Sequence, residues 1–352
     1  MNSRTHKIIG IPGDGIGVEV TNAAIIVLEA ATKKYGFHIH WNIVDWGSDY
    51  FRKNSRMMPL DGLEIMAKHD AIFLGAVGTP EIPDHETLWG LLIPIRRNFD
   101  QYINLRPIKS FQGVEGPLKS KSQIDMLIVR ENSEGEYSKI GGRFSEGSDF
   151  ETALQVAVFS RRGITRVAEF ARNQALLRRK NVVSATKSNG VIHSMPFWDE
   201  VVAEIFTPHP EIQFRSFLID ALAAALVLYP EKFDVIVASN LFGDILSDLA
   251  AALVGSIGIA PSGNINPEGR YPSMFEPVHG SAPDIVGKGI ANPVGAILAA
   301  TMMLTSLGET TAAEEIELEL RTLLSEGYST PDLGGSESTN SFTSKLVSRI
   351  SR

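Results

Sequence analysis

Two aspartates four residues apart open the chemistry of this chain. Asp244 and Asp248 lie in Ser239-Asn240-Leu241-Phe242-Gly243-Asp244-Ile245-Leu246-Ser247-Asp248, so both project from one face of a helix. Like charges at that spacing repel unless something positive sits between them. The bland alternative is one partner of the helix dipole and one solvated carboxylate. Asp220 heads a second Ala-rich segment in the same way, and by itself it reads as a helix cap. Oxygen donors in a chain without cysteine suit Mg²⁺ or Mn²⁺, with open positions for substrate and water.

Arginines form the second group. In the run Trp89–Pro107, Pro94 fits the first turn of a helix that carries Arg96 and Arg97, and Arg106 ends a short strand. Arg130 ends another strand, ahead of Glu131-Asn132. Strand ends face the crevice where α/β proteins bind ligands. A guanidinium grips a carboxylate through two parallel hydrogen bonds, so three arginines could hold a dicarboxylate. Three solvated surface arginines would give the same spacing. Arg96 is the better ligand of the adjacent pair, and Arg97 the more structural.

A base, an acid and a histidine loop complete the set. Lys187, in Thr186-Lys187-Ser188-Asn189, follows a strand. Alone it reads as a surface lysine; near other cations its pKa can fall far enough for it to act as a base. Tyr137 is a proton donor or an ordinary sheet aromatic. Phe275-Glu276-Pro277-Val278-His279-Gly280-Ser281-Ala282-Pro283-Asp284-Ile285 is a long, charge-poor loop of the kind that binds ligands. Near the N-terminus, Gly13, Gly15 and Gly17 give G-x-G-x-G, not the dinucleotide fingerprint G-x-G-x-x-G. That segment reads as a tight strand-to-helix turn needing positive φ, with a ligand nearby as a second reading.

Composition narrows the classes. The chain has 352 residues, 43% hydrophobic and 21% charged, with a formal charge of −8, which is ordinary for a globular protein of one large or two smaller domains. The acidic balance argues against a nucleic-acid partner, but a local arginine cluster still suits a small anion. Absence of cysteine removes disulfides, thiolate metal sites and cysteine nucleophiles, and leaves the redox compartment open. Met1–Lys7 runs directly into an apolar strand pattern with no apolar signal core before it, and stretches such as Ala221–Tyr229 fall well short of a membrane span. A cytoplasmic location is expected.

Strand and helix patterns alternate, which predicts an α/β protein with helices packed on a sheet. Strands are expected at Lys7–Ile11, His38–Val44, Ala71–Gly75, Asp125–Val129, Val182–Ala185 and Val235–Ala238. Helices are expected at Val18–Lys34, Gly163–Arg179, Glu309–Glu326 and Thr339–Ile350. Tyr137–Phe159 alternates without a helical period and reads as a hairpin or arm. No repeat or low-complexity linker marks a domain boundary.

Together these segments resemble the β-decarboxylating dehydrogenases, the isocitrate and 3-isopropylmalate dehydrogenase family, over essentially the whole chain. Asn240–Asp248, Phe275–Asp284 and Gly287–Pro293 carry the resemblance most specifically. Within the family the chain looks most like the D-malate and tartrate dehydrogenase branch, through Pro83-Asp84-His85, Trp89-Gly90, Asn104-Leu105-Arg106-Pro107, Arg130–Ser138, Lys187-Ser188-Asn189-Gly190, Pro196-Phe197-Trp198-Asp199 and Pro272-Ser273-Met274-Phe275. The resemblance implies a two-domain isopropylmalate dehydrogenase-like fold that is not Rossmann. Residues 1–101 plus 256–352 would form a large domain carrying the NAD site. Residues 102–255 would form a small one with a dimerisation arm near 137–159. It implies a homodimer with shared active sites, Lys187 and Asp220 serving the partner's site.

By the same resemblance, Arg96, Arg106 and Arg130 bind the substrate carboxylates, with Trp89 and Leu92 lining the substrate pocket. Asp220, Asp244 and Asp248 hold the metal, and Tyr137 and Lys187 form the acid–base pair. Glu276, His279, Gly280, Ser281, Ala282, Asp284, Ile285 and Asn292 bind the nucleotide. Mg²⁺ or Mn²⁺ would activate the 2-hydroxyl, Lys187 would take its proton, and a hydride would leave C2 for NAD. Loss of CO₂ and protonation by Tyr137 would follow. K⁺ is a further candidate cofactor. Asp284 would accept hydrogen bonds from ribose hydroxyls and repel a 2′-phosphate, which favours NAD over NADP.

An indole at Trp89 would suit a small substituent at C3: hydrogen in D-malate or hydroxyl in tartrate. The chain departs from its branch at Leu218, where histidine is usual, and at Leu91, where serine is frequent. Leu91 is expected in an apolar pocket wall, which keeps 3-isopropylmalate as an alternative substrate. Two other classes compete: a non-catalytic regulatory subunit of the same fold, and a generic Rossmann reductase. The intact metal and acid–base residues disfavour the first, and the glycine spacing disfavours the second.

Overall fold

The computed structural model describes residues 4–118 and 123–352. Met1–Ser3, the head of the segment read above as lacking a signal core, lie outside the described residues. The strands, in chain order, are β1 Thr5–Gly13, β2 His38–Ile43, β3 Ala71–Ala76, β4 Ile103–Lys109, β5 Asp125–Glu131, β6 Gly141–Phe144, β7 Thr152–Gln155, β8 Asn181–Thr186, β9 Gln213–Leu218, β10 Val235–Ala238, β11 Pro261–Ile265 and β12 Ser273–Pro277. The expected strands and helices are present, most within one to three residues of their predicted ends. Among the described residues no helix is long and apolar enough to cross a membrane.

The chain divides into two compact units. The larger comprises Met1–Gln101, Lys109–Lys121 and Ala251–Arg352. Its strands run in the order β2-β1-β3-β12-β11. β1, β2, β3 and β12 are mutually parallel, and β11 is antiparallel to β12. Every residue of β3 is buried, as its unbroken apolar sequence predicts for a central strand covered on both faces. The helix Val294–Ser306 is buried almost all round, which its small and apolar residues allow.

The smaller unit comprises Tyr102–Ile108 and Ser122–Ala250. Its strand order is β4-β5-β10-β8-β9, with β5, β10, β8 and β9 parallel. The amphipathic helices Arg161–Leu176 and Ser194–Phe206 cover this sheet and pack on each other. β6 and β7 form a separate antiparallel hairpin whose every residue is exposed. It carries Phe144, Leu154 and, at its turn, Phe150, which is 83% exposed. A lone two-stranded ribbon is marginal in water, and this one presents its apolar side chains to solvent.

Pro94 stands in the first turn of the helix Ile93–Asn98, as expected, but that helix does not start from a loop: it continues a helical run from residue 84 through a π-helical turn at Leu88–Leu92. The Ile93 amide reaches back five residues to the Leu88 carbonyl. The widened turn accommodates a residue that cannot donate the next bond of an α ladder. Leu91 departs from expectation: it is fully buried in a core cluster with Met57, Ile95 and Phe99.

Candidate active site

Parallel pairing gathers the chemistry of the smaller unit. The carboxyl ends of β5, β10, β8 and β9 lie together, at the edge where α/β sheets bind ligands. Arg130, next to last in β5, pairs with Ala238, the last residue of β10. Two residues on, Asn240 begins the helix Asn240–Leu253. Glu136 anchors that helix start, accepting hydrogen bonds from Ser239 Oγ at 2.9 Å and the Leu241 amide at 3.1 Å. A carboxylate at this position satisfies an orphan amide and complements the helix dipole.

Asp244 and Asp248 follow one and two turns later, and the cations that let them share a face are present. Arg106 meets Asp244 at 3.2 Å and Asp248 at 3.1 Å, bridging the two carboxylates. Arg130 pairs with Asp244 as well. Both guanidinium groups belong to buried residues, 6% and 3% exposed, so neither is a solvated surface arginine. Their orientation is fixed by neutral acceptors. Asn104 Oδ1 accepts from Arg106 Nε at 2.8 Å, and Ser247 Oγ takes Nη1 at 2.6 Å. Asn240 Oδ1 accepts from Arg130 Nε at 3.1 Å and Nη2 at 2.6 Å.

Tyr137 joins this cluster. Its hydroxyl lies 3.3 Å from Asp244 Oδ2, and the Arg130 guanidinium lies 5.9 Å from its ring centroid. Burial and the Asp244 charge hold the phenol above its usual pKa, against the pull of Arg130, so it stays protonated at neutral pH. Burial also raises the Asp248 carboxyl, opposed by Arg106 and reinforced by Asp244.

Lys187 and Asp220 form a second pair. β8 and β9 register Thr186 against Leu218, which brings the residues just beyond them together, and Lys187 Nζ donates to Asp220 at 2.7 Å. Asp220 lies in the first turn of the helix Ile219–Leu228. The bond from Lys187, with backbone amides, lowers its pKa. Among the described residues no three acidic or histidine side chains are grouped to hold a metal ion, so Asp220 is not gathered with Asp244 and Asp248 within one chain.

In the larger unit, Arg96 pairs with Glu276 at 3.1 Å, and Glu276 also accepts from Asn264 Nδ2 at 2.7 Å. Both contacts are to Oε1 of Glu276, the residue expected at the nucleotide. Trp89 and Leu92 are half-buried on the helical run, Leu92 against the core cluster and Trp89 beneath the Arg97 guanidinium.

The His279–Asp284 loop follows β12 and meets the N-terminal glycine turn. The Ile16 amide donates to the Ser281 carbonyl at 2.9 Å. Gly15 has φ +58°, and a Cβ there would lie 2.1 Å from that same carbonyl. The glycine spacing therefore serves a close backbone contact with this loop, as the tight-turn reading requires. The His279 Nε2 atom is buried and has no hydrogen-bond partner among the described residues. Burial lowers its pKa, so the ring is neutral at pH 7. Gly280 faces open space and Asp284 is exposed. Asn292 is buried, its amide donating to Asp332 at 2.9 Å and accepting from Val294 N at 3.0 Å.

These donors fit the expected groups. Carboxylate oxygens backed by arginines suit a hard divalent cation beside an anionic substrate. An orphaned buried imidazole nitrogen beside an open glycine suits a polar ligand such as a nucleotide.

Sequence reasoning assigned no role to Asn104, Glu136, Asn240 or Gly243. Asn104 and Arg106 are two apart on one strand, hence on one face, and Asn240 is one turn before Asp244; both spacings were available as signals. Gly243 could not be found that way. A Cβ there would lie 2.6 Å from both Cβ and Cγ of Arg130. Gly243→Ala should therefore displace Arg130 or the helix, costing about 1–3 kcal/mol. A lowered Tm together with reduced kcat/KM is expected; a variant with wild-type values of both would disprove the close-approach role.

Residues 7–350 match the isocitrate/isopropylmalate dehydrogenase family. An isocitrate dehydrogenase from Methylococcus capsulatus superposes with a TM-score of 0.90 at 35% identity, covering 99% of this chain and 100% of that one. A β-decarboxylating dehydrogenase from Thermococcus kodakarensis gives 0.79 at 36% identity over 98% and 96% of the two chains. The chain belongs to the isocitrate/isopropylmalate dehydrogenase family. It is a β-decarboxylating dehydrogenase similar to the D-malate and tartrate enzymes. A probable tartrate dehydrogenase/decarboxylase of Bacillus subtilis is 49% identical over 99% of both sequences. The decarboxylating D-malate dehydrogenase of Escherichia coli is 50% identical over 96% of both.

Proposed function

We propose that this enzyme converts D-malate to pyruvate and CO₂ with NAD as hydride acceptor, and that tartrate is a second substrate. The observation that supports the substrate class is the pair of buried arginines, Arg106 and Arg130, fixed by neutral acceptors around two carboxylates. Trp89 supports the small C3 substituent, since an indole fills the space a branched alkyl group would need.

Asp244 and Asp248, with Asp220, would hold Mg²⁺ or Mn²⁺, which supplies Lewis-acid activation of the 2-hydroxyl and charge stabilisation for the enolate. Arg106 and Arg130 bind a substrate carboxylate, and Arg96 is assigned the same task. Lys187 accepts the hydroxyl proton as the hydride departs from C2. Tyr137, held protonated, donates to C3 after CO₂ leaves. Asp220 and Lys187 are supplied by a second copy of the chain, and the exposed apolar hairpin β6–β7 is the surface that copy covers.

The nucleotide is assigned to His279, Gly280, Ser281, Ala282, Asp284, Ile285 and Asn292, with Asp284 accepting from the ribose hydroxyls. Removing a charged acceptor costs about 1.5–3 kcal/mol. Asp284→Ala should therefore raise the KM for NAD roughly ten- to a hundredfold while narrowing the preference against NADP. Unchanged NAD and NADP kinetics would remove Asp284 from the site.

The direct test is NADH formation with Mn²⁺ on D-malate, L- and meso-tartrate and 3-isopropylmalate in parallel. A clear D-malate preference is expected. A preference for 3-isopropylmalate would overturn the reading of Trp89 and leave the decarboxylating class intact. Binding of NAD and metal without turnover on any substrate would favour a regulatory subunit.

A further inference from the structure

We infer that Arg97 is a specificity-positioning residue: stacked on Trp89 through the π-helical turn, it holds the indole that limits the C3 substituent of the substrate. The inference rests on the proposed role of Trp89 as a pocket wall.

Helical phase carries the argument. In an uninterrupted α-helix, residues seven apart differ by about 20° in direction and residues eight apart by about 80°. Arg96, seven residues after Trp89, would then share its face. The π turn at Leu88–Leu92 inserts one extra residue into the run. Arg97 therefore takes the phase Arg96 would have had. Its guanidinium carbon lies 5.2 Å from the centroid of the Trp89 ring. Arg96, rotated away, meets Glu276 at 3.1 Å. One local irregularity thus divides two adjacent arginines between different tasks.

The rest of the run cannot rotate to undo this division. Leu91, Ile95 and Phe99 are buried in the core cluster. Gly90 lies so close to Met57 that a Cβ would approach its Cγ to 2.7 Å. Trp89 is half-buried and Arg97 exposed, so the cation covers the indole from the solvent side. A planar guanidinium suits an indole face better than an ammonium does. Loss of the stack leaves Trp89 free to swing aside, which admits bulkier C3 groups.

The experiment compares Arg97→Gln, Arg97→Lys and Trp89→Ala in the full-length enzyme. One readout is the ratio of kcat/KM for 3-isopropylmalate to that for D-malate, with 3-isopropylmalate also titrated as a competitive inhibitor. The other is fluorine NMR of fluorotryptophan-labelled protein, with Trp89→Phe assigning one resonance of the four tryptophans. Arg97→Gln is expected to shift and broaden the Trp89 resonance and raise the ratio roughly two- to fivefold. Arg97→Lys should restore part of both. An unchanged ratio in Arg97→Gln, with a raised ratio in Trp89→Ala, overturns the inference and leaves the pocket reading standing. An unchanged ratio in Trp89→Ala as well overturns the pocket reading, and the inference falls with it.

Discussion

Asp244→Asn should reduce kcat on the order of a thousandfold or more, without unfolding the protein. Asp244 is in contact with both Arg106 and Arg130, and Tyr137 Oη lies 3.3 Å from it. Asparagine keeps an oxygen of nearly the same position, so the arginines retain an acceptor. What is lost is the negative charge that a divalent cation requires. The measurement is turnover across a Mn²⁺ titration, with Tm recorded on the same samples. A near-normal Tm with activity that no metal concentration restores is the expected pattern. Activity within tenfold of wild type would remove Asp244 from the metal set.

Lys187→Met should cost about 10²–10⁴ in kcat, the range for a positioned general base. Lys187 stands with Asp220, and no third acidic or histidine group completes a metal site in one chain among the described residues. The proposed completion by a second copy gives a result that a self-contained site cannot. Asp244→Asn and Lys187→Met proteins, each inactive, are unfolded together and refolded as a mixture. Half of the dimers should be hybrids, and each hybrid has one site built from intact Lys187 and intact Asp244. Recovery of about a quarter of wild-type turnover is expected. No recovery, in a mixture shown to contain hybrid dimers, would mean that each chain builds its own site.

The phenol and carboxyl shifts follow from the same arrangement. Tyr137 is raised by burial and by Asp244, which suits an acid that must keep its proton until the substrate has lost CO₂. Asp220 is lowered by the Lys187 bond and stays ionised, which suits a metal ligand.

Much of this enzyme is fixed by local sequence. Apolar runs such as Ala71–Gly75 and Val235–Ala238 specify buried parallel strands, because only strands covered on both faces tolerate such runs. The i, i+4 spacing of Asp244 and Asp248 specifies a shared helical face, because helix geometry depends on no distant residue. Fold class and the acidic half of the site were therefore legible in the chain. Which cation would reconcile the two aspartates was not. Arg106 reaches Asp248 across 142 positions of sequence, and Arg130 reaches Asn240 across 110. Strand order and register decide such meetings, and no local pattern encodes them. The burial that turns Arg106 and Arg130 from solvated charges into a fixed grip has the same origin. So does the need for glycine at 243, where the limit is the distance from this helix to the Arg130 side chain on β5. The π turn lay outside local reading too: Pro94 suggested a helix start, and only the core packing of Leu91, Ile95 and Phe99 shows why the helix continues through it and changes phase.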